Sequence, residues 1–390
     1  MTAEIAAEYE VMLCVGDTTF LDYDGIVAKR EGYGPIGKGG NGLILHSALA
    51  IVPETGQALG LLWQKIWHRE QKPKPAKDET PEQKKKRQAE ARKEARKRPF
   101  AEKESYRWVE AMENVESLVS KSTKVIHIFD REGDITEVFD KVRQLEHTGL
   151  VVRAAQNRSL DQESERLWAK LTAEAVGLRT EIQIPETGKR AARQAKLEVR
   201  FCQVNLRTPY RFTDREPLKV YAVYAQEVEA PEGETPVEWM LITTEAVTDA
   251  LLAAEILRWY SYRWHIEEYH KILKSGCKAE QYRLAADGMT SLLGFLSIIA
   301  VELLQLTYLH RTKPTALAIE ILSPLQLKVL KTTSKVKLPK ELNVSWAISA
   351  IARLGGYLEH RRGPIGIQVL WRGLSKLHTL CQGWELASST

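Results

Sequence analysis

The alternation of apolar and polar residues along the chain predicts a mixture of strands and helices. The first apolar run, "VMLCVGD" at residues 11–17, predicts a buried strand that ends at Asp17 and is followed by a turn. Two further runs, "GLILHSALAIV" and "GQALGLLWQKIW", flank the turn residues "PETG" and predict a β-hairpin. Later, "KVIHIF" predicts a second buried strand that ends at Asp130, and "GLVVRAA" predicts a third.

Helical patterns lie between and after these strands. Amphipathic helices are predicted for "YRWVEAMENVESLV" and "ITEVFDKVRQLEH". From about Asp161 to Trp239, short alternating runs bounded by Gly, Pro and charged residues predict antiparallel strands, and helices dominate afterwards. We therefore predict an α/β fold. Its mixed sheet is flanked by helices, interrupted by an antiparallel β insertion and followed by a helical C-terminal region.

Charge is spread unevenly over this pattern. The 390 residues include 56 Lys and Arg against 51 Asp and Glu, and a net charge of +5 alone suggests a polyanionic partner only weakly. Residues 69–98 contain almost no large apolar side chains, and Lys84 to Arg98 is strongly basic. The Pro-rich start predicts an exposed loop and the remainder a solvated helix. Such a segment is either merely solvated or makes non-specific contacts with phosphates.

The cysteines and the first residues indicate in which cellular compartment we expect the protein. The four cysteines are isolated and form no CxxC pair, which argues against a zinc site or disulfide framework and favours a cytoplasmic location. The first residues lack the basic and apolar regions of a signal peptide. The apolar stretch from Met289 to Leu309 is nearly long enough to span a bilayer, but Glu302 and Gln305 interrupt it. We predict a buried core helix there and no membrane association.

Three acids stand out by position. Asp17 and Asp130 each follow a predicted buried strand, where ligands of α/β sheets collect, and Glu267 lies on a later helix. Carboxylates brought together repel one another, and a divalent cation such as Mg²⁺ or Mn²⁺ removes that penalty. Two such ions can activate a water or a 3′-hydroxyl and stabilise the leaving oxygen of a phosphodiester. The alternative is that both aspartates are turn formers or helix N-caps.

The stretch "YSYRWHIEEYHKILKSG" at residues 260–276 predicts one amphipathic helix. Tyr260, Arg263, Glu267, Lys271 and Lys274 fall on one face of it, and an aromatic and aliphatic stripe faces elsewhere. One interpretation is ordinary i,i+4 ion pairing on a wet surface. The other is a carboxylate that binds metal among cations that hold DNA phosphates. Helical spacing alone does not separate these two interpretations.

The same stretch contains a rival metal motif. Glu267 and His270 have the Glu-x-x-His spacing of helical di-iron proteins, but that site requires a second such pair, which the sequence lacks. His265 and His270 are five residues apart, which is poor spacing for two ligands on one helix. A di-iron site is therefore disfavoured.

The same stretch also carries Tyr-x2-Arg-x3-Glu-x6-Lys, and with it the chain resembles the bacterial insertion-sequence transposases that have the YREK signature. The similarity is to the cut-and-paste, hairpin-forming branch related to the transposase of transposon five. It extends from about residue 10 to 385. Further segments that resemble the family are "CVGDTTFLDY", "IHIFDREGDI", "GETPVEWMLITTE" and "AIARLGGYLE".

This resemblance implies a ribonuclease-H-like core with a DDE triad of Asp17, Asp130 and Glu267 that holds two Mg²⁺ or Mn²⁺ ions. It implies nicking, hairpin formation and opening, and strand transfer on double-stranded DNA by a homodimer. Trp239 matches the tryptophan that stacks on a flipped base. The positions implied to bind DNA are Tyr260, Arg263, Lys271, Lys274, Trp239, Arg153, Arg158 and Arg283.

The resemblance also divides the chain. Residues 1–155 and 240–312 correspond to the catalytic core, with a basic exposed insertion at 65–100. Residues 156–239 correspond to the β-rich insertion, and 313–390 to a helical dimerisation region that ends early. Because Asp17 lies near the start, we expect the family's N-terminal end-recognition domain to be absent. The alternative functions are a catalytically impaired DNA-binding or inhibitory partner of a full-length enzyme, or a nuclease of the same fold.

Overall fold

The computed structural model describes residues 1–27, 32–37, 39–71, 78–161, 163–184, 192–208, 216–334, 336–358 and 365–388. Its strands are β1 (Val11–Asp22), β2 (Gly34–Gly37), β3 (Gly40–Ile51), β4 (Ala58–Trp67), β5 (Lys124–Phe129), β6 (Thr148–Arg153), β7 (Leu178–Ile184), β8 (Arg193–Leu206), β9 (Leu218–Val228) and β10 (Glu238–Thr243). Its helices are α1 (Thr2–Ala6), α2 (Asp24–Val27), α3 (Pro81–Lys97), α4 (Tyr106–Leu118), α5 (Thr136–Val142), α6 (Leu167–Ala173), α7 (Ala250–Ser261), α8 (Trp264–Lys271), α9 (Ala286–Thr312), α10 (Pro324–Thr333), α11 (Val344–Leu354) and α12 (Ile367–Ser388).

These strands form one mixed sheet in the order β2-β3-β1-β5-β6-β10-β9-β8-β7, and β4 pairs with β3. The centre, β1-β5-β6, is parallel, whereas the remaining pairs are antiparallel. The predicted mixed α/β architecture is therefore confirmed, as is the β3–β4 hairpin. The predicted antiparallel strands are also present, as β7–β10, and β10 joins them to the parallel centre through β6.

Helices cover both faces of the central strands. Side chains alternate between the faces of a strand, so Ile126 and Ile128 of β5 pack into a core with α8 and α9, while Phe129 packs against α4 and α5. Each such side chain, when fully buried, contributes about 1.5–3 kcal/mol. The carboxyl ends of β1, β5 and β6 remain as the rim where a site can form.

One prediction about β1 is wrong. The strand does not end at Asp17 but continues to Asp22, because Asp17 through Asp22 remain paired with Ser47 through Gly42 of β3. The physical reason is that Thr18, Thr19 and Phe20 are good strand formers that extend the ladder on the β3 side. Only the parallel pairing with β5 stops earlier, at Val15.

The long apolar helix α9 packs one face into the protein. Met289, Leu293, Ala300 and Leu303 are fully buried along it. Among the described residues, α9 alone has the length and composition to cross a membrane, and half of its apolar window is buried in the protein. A core helix of that length passes the same test, so the prediction of a core helix fits this packing.

Candidate active site at the ends of the central strands

Asp17 and Asp130 lie side by side. In the parallel ladder Val15 is opposite Ile128, so the residues two positions further on are Asp17 and Asp130. Asp130 keeps an extended backbone (φ −80°, ψ −167°), which carries the strand direction one residue past β5. Gly16 permits the close packing beside them, because a Cβ there would lie 2.8 Å from Cε1 of Phe129. The prediction that Asp130 follows a buried strand is confirmed.

The carboxylate of Asp17 is strained electrostatically. Burial, and then the neighbouring charge of Asp130, raise its pKa to about 7, and Glu267 adds a smaller increase. The Thr18 N–H, which donates to Asp17 Oδ1 at 2.7 Å, and the cation of Arg263 oppose this rise in pKa. A carboxylate in such surroundings favours either a proton or a bound cation.

The histidine that faces Asp17 does not supply that cation. His270 Nδ1 lies 3.9 Å from Asp17 Oδ2, but burial lowers the pKa of His270 to about 3, so its ring is neutral. Its Nε2 is buried and has no hydrogen-bond partner among the described residues. His270 therefore packs beside Asp17 without compensating its charge.

Asp130 also caps the short turn that follows it. Its Oδ1 accepts a hydrogen bond from the N–H of Glu132 at 2.8 Å, at the start of a 3₁₀ turn over Arg131–Gly133. The alternative prediction, that Asp130 caps a helical turn, is thus confirmed. It does not compete with metal binding, because a carboxylate has further lone pairs with which to bind a cation.

Glu267 lies on α8, and the helix that carries it differs from the prediction. The stretch 260–276 is not one continuous α-helix: α7 ends at Ser261, α8 begins at Trp264, and a π-helical turn covers Ile272–Gly276. The Tyr262 carbonyl accepts from the N–H of His265 and, at 3.0 Å, from its ring Nδ1. These contacts with the residue three positions on replace the i→i−4 ladder at that point.

This break separates residues that the prediction had placed on one face. Tyr260 is 2% exposed and belongs to the core, whereas Lys271 is exposed. The aromatic and aliphatic stripe does face the core at Trp259, Ile266 and Leu273, which are all buried.

The Glu267 carboxylate is half exposed and engaged by Arg263. Arg263 Nη2 lies 2.5 Å from Glu267 Oε1, and the Arg263 side chain is 15% exposed against 50% for Glu267. The i,i+4 ion pair considered from the sequence is therefore present. Glu267 nevertheless contributes to the field at Asp17, so the three acids share one electrostatic neighbourhood.

The fit of this neighbourhood to a metal ion is partial. Among the described residues no group of three or more His, Cys, Asp or Glu side chains is placed to hold an ion together. Asp17 and Asp130 do fit a hard dication, because they are oxygen donors whose mutual repulsion a cation offsets. The third carboxylate, Glu267, is paired with Arg263 instead.

A pocket opens beside the acids. It has a volume of about 230 Å³ and is lined by Arg153, Thr235, Pro236, Val237, Glu238, Trp239, Tyr260, Arg263 and Trp264. The Trp239 ring is 6% exposed and lies edge-on to Tyr260 (centroids 5.0 Å apart) and to Trp264 (5.7 Å). Trp239 is thus both a core tryptophan and part of the pocket wall.

Two polar atoms at this pocket lack good partners. Tyr260 Oη and Arg153 Nε are buried, and neither makes a well-formed hydrogen bond with a described residue, although the two side chains interact electrostatically. Arg153 donates through Nη2 to the Glu238 carbonyl at 2.7 Å, which fixes its guanidinium at the pocket wall. Buried polar groups with such weak hydrogen-bond geometry are uncommon and suit a polar ligand.

The other predicted DNA-binding cations are dispersed. Arg158 is held inside the protein by the buried Asp134, to which its Nε donates at 2.9 Å. Lys274 Nζ lies 3.8 Å from Glu280 Oε1, and Lys271 and Arg283 are exposed. The predicted DNA contacts of these residues stay predictions, and Arg158 has an evident structural role.

Arg107 on α4 supports both aspartates of the site, although it was not among the residues predicted from the sequence. Its Nε donates to Thr18 Oγ1 at 2.8 Å, and its Nη2 bonds Glu132 Oε2 at 2.5 Å. Thr18 and Glu132 are the residues whose backbone N–H groups hold Asp17 and Asp130. One guanidinium therefore ties together the supports of both aspartates. No spacing in the sequence marks it, since Arg107 is one of several charged residues on an amphipathic helix.

No model of a known protein family matches this chain.

Proposed function

We propose that the protein is a metal-dependent DNA transposase of the DDE class, which cuts and joins DNA by phosphoryl transfer. The observation that carries the proposal is the placement of Asp17 beside Asp130 on adjacent parallel strands, with Glu267 in the same electrostatic neighbourhood. Paired acidic oxygens at the carboxyl ends of central strands suit a Mg²⁺ or Mn²⁺ site.

The sheet supports the finer assignment to a ribonuclease-H-like fold. Its central order is β4-β3-β1-β5-β6, in which β3 is antiparallel to its neighbours and β1, β5 and β6 are parallel. Such a centre is compatible with the fold that the motif resemblance implies. The first two acids of the triad then lie on neighbouring strands, and the third comes from a helix packed across their ends.

In this proposal Asp17 and Asp130 would hold the cations, and Glu267 would serve as the third ligand once released from Arg263. When bound, the ions supply an activated water or 3′-hydroxyl and stabilise the leaving oxygen. Arg107 keeps both aspartates in position through Thr18 and Glu132. Arg263, freed from Glu267, gains a phosphate of the DNA as a new partner for its guanidinium.

The pocket lined by Trp239, Tyr260 and Trp264 supports the hairpin step. A tight DNA hairpin requires a base to leave the stack, and stacking of a base on an aromatic ring contributes about 1–3 kcal/mol. Tyr260 Oη and Arg153 Nε at the wall, whose mutual hydrogen-bond geometry is weak, offer polar contacts to such a base or its phosphate. We assign the flipped base to this pocket.

DNA cleavage in Mn²⁺ tests the proposal, with duplexes taken from the DNA that flanks the gene. We expect the wild-type protein to nick and then form hairpins. Asp130→Asn and Glu267→Gln should lower the rate by about 1000-fold or more, since the ions stabilise the transition state by several kcal/mol. Glu268→Gln is the matched control: it lies on the same helix but pairs with Arg311, so cleavage should persist. Equal cleavage by wild type, Asp130→Asn and Glu267→Gln would contradict the assignment.

A second candidate is a non-catalytic DNA-binding or inhibitory partner of a full-length enzyme. The ion pair between Arg263 and Glu267, which keeps the third carboxylate from the other two, favours it. Binding of the flanking DNA without any cleavage, in Mg²⁺ and in Mn²⁺, would support this candidate. Cleavage without joining would indicate a nuclease.

A further inference from the structure

The helix α3 is separate in character from the rest of the protein. It spans Pro81–Lys97, and all of its residues are exposed. An isolated helix of this length without a buried face is marginally stable in water. A feature other than core packing must therefore account for the composition of this segment.

Both ends of α3 carry residues that stabilise a helix. Thr80 and Gln83 form a capping box, Pro81 occupies the first turn, and Arg96 and Lys97 lie in the last turn, where cations favour the helix dipole. The base of the excursion is closed by Arg69, whose Nε and Nη2 both bond the Glu104 carboxylate at 2.9–3.2 Å. This ion pair joins the end of the segment after β4 to the residues just before α4.

The helix carries the charge surplus of the whole chain. It contains eight Lys and Arg residues against three Glu, a surplus of five, and the net charge of the 390 residues is +5. The rest of the chain is therefore balanced. This concentration is the footprint expected for an electrostatic binding surface.

The positive charge is concentrated on one side. At 100° per residue, one face of about 140° collects six basic side chains, and the only acid on it is Glu82 near the start. Glu90 lies about 20° beyond the edge of this face and Glu94 about 60° beyond it, next to Arg87, which is paired with Glu79. We call this the basic face; it consists of Lys85, Lys86, Arg92, Lys93, Arg96 and Lys97.

No described residue neutralises this basic face. None of its six cations forms an ion pair with a residue in the part of the chain that the structure describes, whereas Arg107, Arg158, Arg193 and Arg263 all do. Like charges at i,i+3 and i,i+4, such as Arg92 with Arg96 and Lys93 with Lys97, also repel one another. A polyanion would remove this repulsion.

The side chains of α3 indicate which class of partner its basic face suits: a membrane, a protein or a nucleic acid. A membrane-surface helix needs an apolar face, and a protein interface needs aromatic or aliphatic anchors, but the apolar residues of α3 after Pro81 are alanines. From Lys85 to Lys97 the basic face extends about 18 Å along the axis, comparable with some five base pairs of a duplex. We infer that α3 is a nucleic-acid clamp whose basic face lies along the phosphate backbone of duplex DNA without reading its sequence.

This binding surface lies outside the carboxylate site and requires neither metal nor cleavage. It can therefore be measured in EDTA, where the proposed chemistry cannot take place. A protein that binds duplex through α3 but never cuts would refute the proposed function alone. A protein that cuts but does not use α3 would refute the clamp alone.

The test compares two charge-matched triple variants by fluorescence anisotropy with a short duplex of arbitrary sequence, from about 50 to 200 mM salt. Lys93→Gln with Arg96→Gln and Lys97→Gln should weaken binding at low salt. It should also reduce the slope of log K against log salt by about three, one for each phosphate contact. The control, Lys331→Gln with Lys337→Gln and Lys340→Gln, removes the same charge from other exposed positions and should leave the slope unchanged.

Several results would overturn the clamp. They are equal slopes for both triple variants, no duplex binding by the wild type at low salt, or tighter binding to phosphatidylserine vesicles than to duplex. A local readout decides where the duplex lies: backbone amides of residues 81–97 should exchange hydrogen more slowly when duplex is added to the wild type. No change in exchange there, with binding intact, would place the DNA elsewhere.

Discussion

The carboxylate site and the helix α3 handle charge in opposite ways. Around Asp17 the charges are few and joined to one another, and the guanidinium groups are largely buried: Arg107 bonds Thr18 and Glu132, and Arg263 bonds Glu267. On α3 the charges are exposed, numerous and of one sign. The first region contains closely spaced acids that a cation would stabilise, and the second contains cations that a polyanion would stabilise.

The difference shows how burial constrains function. A charge removed from water must be paired or its pKa shifts, which is why Arg107 and Arg263 have acid partners and why the Asp17 pKa rises. An exposed charge is screened by water and salt, so α3 tolerates a surplus at little cost to folding.

The pH dependence of stability measures the strain at Asp17. Its pKa is raised to about 7 in the folded protein, so in EDTA its contribution to stability is complete below pH 4 and is lost as the pH rises through 7. The loss is at most ~4 kcal/mol. Urea unfolding should show Asp17→Asn gaining on the wild type between pH 4 and 8, and parallel profiles would mean that Asp17 is not strained. Added Mg²⁺ should diminish the gain.

Arg107 tests whether the two aspartates are held as a unit. Removing a group that positions both should slow cleavage by about 100-fold, the usual effect of a misplacement of 1 Å. Arg107→Met should lower kcat with little change in KM, and Arg107→Lys should restore part of the rate. The proposal of a positioning role fails if the two variants lose equal activity in proportion to a loss of folded protein.

Trp239 tests the pocket separately from the acids. Trp239→Phe keeps an aromatic ring in the core but presents a smaller face to a flipped base. We expect hairpin formation to slow by about tenfold, within the 1–3 kcal/mol of a base stack, while first-strand nicking is nearly unaffected. Measuring both steps on one preparation cancels any folding defect. Trp239→Ala should enlarge the difference, and equal slowing of both steps would exclude a stacking role.

The smallest effect concerns α3. Because none of its residues is buried and Arg69–Glu104 closes its base, replacing residues 78–98 by a short Gly-Ser link should change the free energy of unfolding by no more than about 0.5 kcal/mol. Urea denaturation checks this. A loss of several kcal/mol would show that α3 contributes to the stability of the fold. It would contradict the claim that the charges of α3, unlike those at the carboxylate site, are independent of the core.

Some of these features were predictable from the sequence, because local patterns determine them. The apolar run before Asp130 predicted its strand end, and the composition of Lys84 to Arg98 predicted a solvated helix, which the structure confirms as the greater part of α3. By contrast, "DTT" resembles a turn, but its threonines are strand formers and the pairing of β1 with β3 keeps them extended.

Other features depend on contacts across long stretches of sequence. Arg107 reaches Thr18 across 89 positions, and the break between α7 and α8 depends on how Tyr262 and His265 hydrogen-bond in the packed protein. Helical spacing therefore wrongly predicted that Tyr260 and Lys271 lie on one face of a single helix. Tertiary contacts decide such details, and no periodicity records them.

Binding of Mn²⁺ alone, followed by electron paramagnetic resonance, tests the central claim most directly, because it needs no DNA. The account predicts saturable binding by the wild type that weakens at least about tenfold in Asp17→Asn and in Asp130→Asn. It also predicts that the Glu268→Gln control binds as the wild type does. Equal Mn²⁺ affinity in the wild type and both aspartate variants would contradict the claim that these strand-end carboxylates form a metal site.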